Sequence, residues 1–270
     1  MPGEDYSLRD LRADRPTPAR MYDYYLGGKD NFAVDREAAE QVLSAAPEVR
    51  LLATENRAFL GRAVRFLAAE AGIRQFVDVG TGLPTQGNVH EVAQAVDPAA
   101  RVVYVDNDPI VRAHARALLP SDGTTAVIEA DLRDPRPILD HPDLRRLIRF
   151  DEPVAVLFMS VLHFIADEDD PYGTVAAFRD ACVPGSYLAL SHITAPEQNT
   201  EGATAAADVY KAKATSPAIL RSPTEVRRYF EGYELVEPGL VRLPQWRPDD
   251  PGDALKADEV WMLAGVGREH

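Results

Sequence analysis

Cysteine is almost missing from this chain: Cys182 is the single one among 270 residues. One thiol excludes an intrachain disulfide and a cysteine-based zinc site. Long apolar runs are missing too. No stretch reaches the roughly 20 residues that cross a bilayer, so no membrane partner is expected. The start, Met1-Pro2-Gly3-Glu4-Asp5, lacks the apolar segment of a signal peptide, and a soluble cytoplasmic protein is expected. Positive charge is short: 29 Lys and Arg stand against 43 Asp and Glu, a net −14. That deficit argues against a nucleic-acid partner, because duplex binding rests on neutralising phosphates. Arg145, Arg146 and Arg149 lie close together but read as a solvated helix face. No metal site is expected either. The acidic run Asp167-Glu168-Asp169-Asp170 has neither a glycine nor a distant ligand, and reads as a loop that caps the next helix.

What is present is apolar: 46% hydrophobic residues in a chain long enough for one large α/β domain. Its most informative run is Phe76-Val77-Asp78-Val79-Gly80-Thr81-Gly82-Leu83-Pro84-Thr85. Apolar residues lead into an acid, then two glycines, a proline and a threonine. This reads as a buried strand, a tight turn and a helix opening near Pro84 and running from Thr85 to Val96. Gly80 and Gly82 permit unusual dihedrals and close approach of a ligand, whose negative group the helix N-terminus would favour. A second strand, 101–105, ends in Asp106-Asn107-Asp108. An acid at that place can accept hydrogen bonds from ribose hydroxyls. A third strand, 126–130, ends in Asp131-Leu132, and a fourth, 154–159, ends in Ser160. Together these strand ends outline a nucleotide groove.

Asp78-Val79-Gly80-Thr81-Gly82, then Asp106, then Asp131-Leu132 resemble the successive motifs of class I S-adenosylmethionine-dependent methyltransferases. With Met21-Tyr22-Asp23-Tyr24-Tyr25-Leu26-Gly27-Gly28-Lys29-Asp30-Asn31-Phe32, the chain resembles an actinobacterial family of such enzymes, once filed as a domain of unknown function. The resemblance covers nearly the whole chain. It implies a Rossmann-like α/β fold with a seven-stranded, mostly parallel sheet, one antiparallel strand near the C-terminus and helices on both faces. It implies S-adenosylmethionine as cofactor and S-adenosylhomocysteine as product. The cofactor set is then Asp78, Gly80 and Gly82 at the amino-acid end, Asp106 and Asn107 at the ribose, Asp131 and Leu132 at adenine, with Ser160 at the next strand end. Asp106→Ala is expected to weaken cofactor binding and leave the fold intact. Asp131 has a plainer reading, as the cap of a turn before Asp134-Pro135.

Residues 1–75 are expected to form a helical cap or lid, and 76–270 the Rossmann-like core with a helical insert at about 195–222. Met1 to about Pro18 reads as a polar arm, ordered by a partner or by a second copy in a homodimer. Tyr22, Gly28, Asp30 and Asn31 are assigned to the lid over the cofactor; the plainer reading is a cap that packs its aromatics on the sheet. Helices are expected at 35–46 and 48–71, with Gly72 closing the second. Arg57 and Arg62 read as solvated, with Arg57 the one able to approach the cofactor's carboxylate. His163 is the candidate general base, its ordinary pKa lying near neutrality, against a packed core histidine. His192 is expected at the same rim. Tyr210, in the insert, is either a substrate contact or a packing residue. A closing pair of strands follows, in 233–243 and 259–266.

The leading function is methyl transfer to a small molecule. A nicotinamide-dependent oxidoreductase is the rival enzyme, but Thr85 stands where Gly-x-Gly-x-x-Gly needs its third glycine. A cofactor-binding regulatory protein without catalysis is the third reading, permitted by the lack of an obvious acid–base pair.

Overall fold

A computed structural model describes residues 13–84, 87–118, 123–196 and 198–270. Most of the polar arm, 1–12, and the threonine expected to start a helix at Thr85 lie outside these residues, as do 120–122 of the expected break Pro120-Ser121-Asp122-Gly123.

Three helices come first: α1 (Pro18–Tyr25), α2 (Ala33–Ala45) and α3 (Val49–Ala69). Thr17 caps α1, with Pro18 at the first helical position where a missing N–H is harmless. Gly72, at φ +73°, turns the chain out of α3 and into the sheet. Strands and helices then alternate. They are β1 (Gln75–Val79), α4 (Val89–Val96), β2 (Arg101–Asp106), α5 (Pro109–Leu118), β3 (Thr125–Glu129), α6 (Pro135–Leu139), α7 (Pro142–Leu147), β4 (Ala155–Met159), α8 (Pro171–Ala181) and β5 (Tyr187–Ile193). The insert carries α9 (Thr200–Lys213). After α10 (Pro223–Arg228) come β6 (Tyr233–Leu235), β7 (Val241–Arg242) and β8 (Met262–Glu269).

The strand order is β3-β2-β1-β4-β5-β8-β6, with the two-residue β7 paired to β8 off this path. β1 to β5 pair in parallel; β8 runs antiparallel to β5, β6 and β7. Among the described residues the sheet thus has eight strands where seven were expected, the extra one being β7. Alternation along the strands splits the core in two. Phe76, Val102, Tyr104 and Leu157 pack with Met21, Val42, Phe59 and Ala206 on one face. Val77, Val103, Val105 and Phe158 pack with Ile138, Leu144, Phe178 and Val226 on the other. The N-terminal helices and α9 therefore cover one face, and the sheet's carboxyl edge meets them there.

Residues 13–18 are not a free arm. The Pro16 carbonyl accepts the Thr215 N–H at 3.0 Å, and Arg15 donates to the carbonyls of Lys213 and Ala214 at 3.2 and 2.6 Å. Arg62 is not solvated either: it is buried, donating to the carbonyls of Trp246 and Leu243 at 2.9 and 2.8 Å.

Candidate active site

Asp78, Gly80, Gly82, Asp106, Asn107, Asp131, Leu132 and Ser160 all line one cleft, which encloses about 1050 Å³ with the open solvent at its mouth. It follows the carboxyl edge of β3, β2, β1 and β4. The turn after β1 needs its glycines. Gly80 has φ +73°, and a Cβ there would stand 2.1 Å from Val161 Cγ2. Gly82 has φ +68°.

The N–H groups of this turn are spent within the protein. Gly80 and Thr81 donate to the Val105 carbonyl at 2.7 and 3.2 Å, and Gly82 donates to Asp106 Oδ2 at 2.8 Å. Nor does a helix follow at once. Gly87, at φ +72°, and Asn88 delay it, and Asn88 donates its N–H to Glu91 Oε2 at 2.7 Å as α4 begins at Val89. The expected helix from Thr85, with Pro84 in its first turn, is corrected accordingly. The site offers carboxylates in place of an amide cradle.

Those carboxylates differ. Burial pushes Asp78 up to about 6, against the Thr81 hydroxyl at 2.9 Å and the charge of Arg57. Burial likewise pushes Asp106 up to about 6, opposed by the N–H groups of Asp108 and Gly82. Asp131 is also raised by burial, but Arg133 outweighs this: its Nε lies 3.0 and 3.1 Å from the two carboxylate oxygens and holds the group below 3.8. Asp131 also caps its turn, accepting the Arg133 N–H at 3.0 Å. Arg57, which also lines the cleft, reaches the Gly87 carbonyl at 3.1 Å.

A second cavity of about 590 Å³ continues from the first past the end of β4. The two share Pro18, Tyr22, Ser160 and Phe164. Ser160 sits at this junction with φ +57°, a strained value for a residue with a side chain. Its N–H donates to Ser191 Oγ at 2.8 Å; that hydroxyl donates to Asn56 Oδ1 at 2.6 Å. Asn56 Nδ2 donates in turn to the Tyr22 hydroxyl at 2.9 Å, which donates to the Ala53 carbonyl at 3.0 Å. This relay ties β4, β5, α3 and α1 together where the cavities meet.

His163 and Tyr210 both line the second cavity. His163 is buried, and burial together with His192 and Arg221 holds its pKa well below 6.5, so the ring is neutral. His192 lines neither cavity. It falls on the opposite side of β5 from Ser191, where Nδ1 lies 2.6 Å from the Ile193 carbonyl and Arg221 donates to Nε2 at 3.1 Å. Its expected place at the rim is corrected by this alternation. Gly28, Asp30 and Asn31 also lie outside both cavities. They fold around Asp23, whose Oδ2 accepts the Asp30 N–H at 3.0 Å and Asn31 Nδ2 at 2.7 Å. A Cβ on Gly28 would meet Asp23 Oδ1 at 1.9 Å, so this glycine serves a tight turn.

Sequence reasoning missed what fastens the first helix over the cleft. Thr17 Oγ1 donates to Asp108 Oδ2 at 2.7 Å, and the Thr17 N–H to Asp35 Oδ1 at 3.1 Å. Arg20, fully buried, pairs with Asp35 at 2.9 Å and approaches Asp108 at 3.8 Å. The Thr17-Pro18 cap was a readable signal for a helix start, but nothing local named Asp108 as its partner. Asn56 and Ser191 were missed for the same reason. The acidic run behaves as expected at one end: Asp170 Oδ1 accepts the Gly173 N–H at 2.9 Å as the cap of α8.

Comparisons with known proteins identify the family and the fold. Residues 5–270 match the family model described as S-adenosyl methyltransferase. A DUF574 family protein from Streptomyces avermitilis is 42% identical, with a TM-score of 0.91 over 96% of this chain and 100% of its own. A candidate methyltransferase from Thermobifida fusca is 45% identical, with a TM-score of 0.89 over 98% and 99%. An O-methyltransferase family protein from Burkholderia thailandensis, at 15% identity and a TM-score of 0.51 over 82% and 60%, shares the fold. Among curated proteins no match is found. The chain belongs to the S-adenosyl methyltransferase family, as an enzyme whose cofactor is S-adenosylmethionine.

Proposed function

We propose that S-adenosylmethionine lies along the first cleft and that a small-molecule acceptor enters the second cavity, the two meeting at Ser160, Tyr22 and Phe164. One observation carries this reading: the cleft is lined by Asp78, Asp106, Asp108 and Asp131, and the N–H groups of Gly80, Thr81 and Gly82 beside them are taken within the protein. Carboxylates suit a ligand of cationic and donor groups: an ammonium, a sulfonium, ribose hydroxyls and an adenine amine. The same lining repels the pyrophosphate of a dinucleotide, which needs free backbone N–H groups. Asp106 accepts from the ribose with Asn107 beside it; Asp131 and Leu132 address adenine; Asp78, Gly80 and Gly82 receive the amino-acid end.

The bound cofactor supplies a methyl carbon made electrophilic by its sulfonium. The protein aligns a nucleophile behind that carbon and excludes water. Tyr22 and Ser160, held by the Asn56 relay, fix the junction through which acceptor and cofactor meet. His163, which lines the second cavity, serves there as a neutral base or hydrogen-bond acceptor. Residues before β1 act as the cap of a core spanning 76–270, and Arg15 to Thr17 close the mouth against Thr215. The apolar second cavity and the acidic balance support a small acceptor without nucleic acid. The lone unpaired Cys182 supports a cytoplasmic location, and the organisms of the two similar structures support an actinobacterial source. Among the described residues no helix is long and apolar enough to cross a membrane.

Calorimetry with S-adenosylmethionine, S-adenosylhomocysteine and NADH tests the reading. Binding of both sulfur nucleotides, weakened in Asp106 variants, is expected; binding of NADH alone would overturn it.

A further inference from the structure

The second cavity has a chemistry of its own. Among the described residues no Asp, Glu, Lys or Arg lines it. Its titratable groups stay neutral: burial raises the Tyr25 and Tyr210 hydroxyls and lowers the His163 imidazole. Tyr25 and Tyr210 also satisfy each other, hydroxyl to hydroxyl at 3.0 Å. A charged ligand group would find no partner there, and an unpaired charge is far more costly to bury than a neutral polar group. The walls are apolar, and one of them is flat: Ala203, Ala206 and Ala207 lie on one face of α9 at three- and four-residue spacing. The Phe164 and Tyr210 rings, with centroids 5.4 Å apart, pack against each other in these walls.

Two nitrogen atoms of lining residues are buried without a hydrogen-bond partner among the described residues: His163 Nδ1 and Trp261 Nε1. Their side chains belong to residues only 3% and 7% exposed. An orphaned buried polar atom is unfavourable, and a ligand oxygen would satisfy each of them. A neutral imidazole offers one donor and one lone pair; an indole offers only a donor. A hydroxyl group answers the first in either sense, and any accepting oxygen answers the second.

We propose that this cavity binds an uncharged, flat aromatic compound bearing a hydroxyl group, directed to His163 and Trp261, as the acceptor. The proposal rests on the reading that the cofactor occupies the neighbouring cleft.

The test is calorimetric titration of the protein, saturated with S-adenosylhomocysteine, with 2-naphthol and with 2-naphthoate. The two probes share their rings and differ in charge. 2-Naphthol is expected to bind at least about tenfold more tightly than 2-naphthoate. Ala206→Trp, which fills the cavity from α9, should abolish naphthol binding and leave S-adenosylhomocysteine affinity within about twofold. Ala206→Leu, a smaller filling, serves if the tryptophan variant does not fold. His163→Leu should remove the preference for 2-naphthol over 2-methylnaphthalene. Equal binding of naphthoate, naphthol binding untouched by filling the cavity, or no naphthol binding to protein that binds S-adenosylhomocysteine would each overturn the proposal alone. Failure of S-adenosylhomocysteine itself to bind would overturn the cofactor reading beneath it.

Discussion

Replacing Asp106 separates cofactor binding from folding, because its carboxylate serves both. Oδ2 accepts the Gly82 N–H at 2.8 Å, and Oδ1 the Asp108 N–H at 2.9 Å. Burial lifts the pKa from 3.8 to about 6. At about 1.4 kcal/mol per pH unit, holding the charge at neutral pH costs the apo protein about 3 kcal/mol. Asp106→Asn removes the charge and keeps one accepting oxygen, stranding one backbone N–H at about 1–3 kcal/mol. The two effects nearly cancel, so the apo Tm should shift by a few degrees at most. Asp106→Ala removes the same charge but strands both N–H groups, for about 2–6 kcal/mol, so the net loss reaches up to about 3 kcal/mol and the Tm should fall further than in Asp106→Asn; the expectation from sequence that alanine leaves the fold untouched is thereby changed. In both variants affinity for S-adenosylhomocysteine should fall by about 10–100-fold, since a hydrogen bond to a charged acceptor contributes about 1.5–3 kcal/mol. The pH dependence has a definite sign. A carboxylate whose folded pKa lies above its unfolded value takes up its proton first in the folded state. The penalty is therefore full above about pH 6 and is relieved as pH falls from there toward 3.8. Wild-type apo protein should gain stability over that window from Asp106, with Asp78 acting in the same sense; Asp106→Asn should lose its share of the gain. Cofactor affinity should move the opposite way, weakening as pH falls below 6. Calorimetry and thermal melts at pH 7.5 and 5 read both. An S-adenosylhomocysteine Kd within twofold of wild type for Asp106→Asn would refute the ribose assignment.

Gly80→Ala should destabilise the protein by about 2–5 kcal/mol in urea, from left-handed backbone strain and displacement of Val161; a loss under about 1 kcal/mol would contradict the close approach. Arg20→Ala removes one partner of a buried ion pair with Asp35 and should cost about 3–5 kcal/mol by chemical denaturation, whereas Arg145→Ala, on an exposed pair, should stay within about 0.5 kcal/mol. Asn56→Ala cuts the relay to Tyr22 and Ser191, and exchange of the Ser160 amide hydrogen should quicken by about tenfold or more. Unchanged exchange there would show that the relay does not hold the junction.

The cofactor end of the site was legible because its signals are local. β1, β2 and β3 each read as an apolar run stopped by an acid, and Asp78, Asp106 and Asp131 do stand along one edge. Where reading failed, a distant partner decided the outcome. Arg62 looked solvated beside its helical neighbours, yet carbonyls from Leu243 and Trp246 surround its guanidinium. Asn31 looked available to a ligand, yet Asp23 claims its side chain, and the backbone of Asp30, from within the same turn. His192 and Ser191 are adjacent, and the two-residue period of a strand sends them to opposite faces; only the register of β5 says which one meets Asn56.

The acceptor end was hidden for a different physical reason. Its walls come from α1, α2, α3, α9 and the start of β8, and each wall read alone is an ordinary buried face. Tyr210 and the alanines around it carry the same helical spacing that a filled core would require. Periodicity reports that a side chain points inward; it does not report whether the facing side chains touch. Here small residues on α9 line a cavity together with Val42, Leu52 and Ala53, although Ala203 and Ala206 belong with those three to one packed cluster. Small residues opposing one another, with His163 and Trp261 nitrogen atoms left unpartnered between them, are what distinguish a binding cavity from a core. That distinction lies in pairs of residues far apart in the chain, such as Leu52 and Ala206. Exchanging either for a larger side chain should therefore alter acceptor choice before it alters cofactor affinity, because neither residue lines the cofactor cleft.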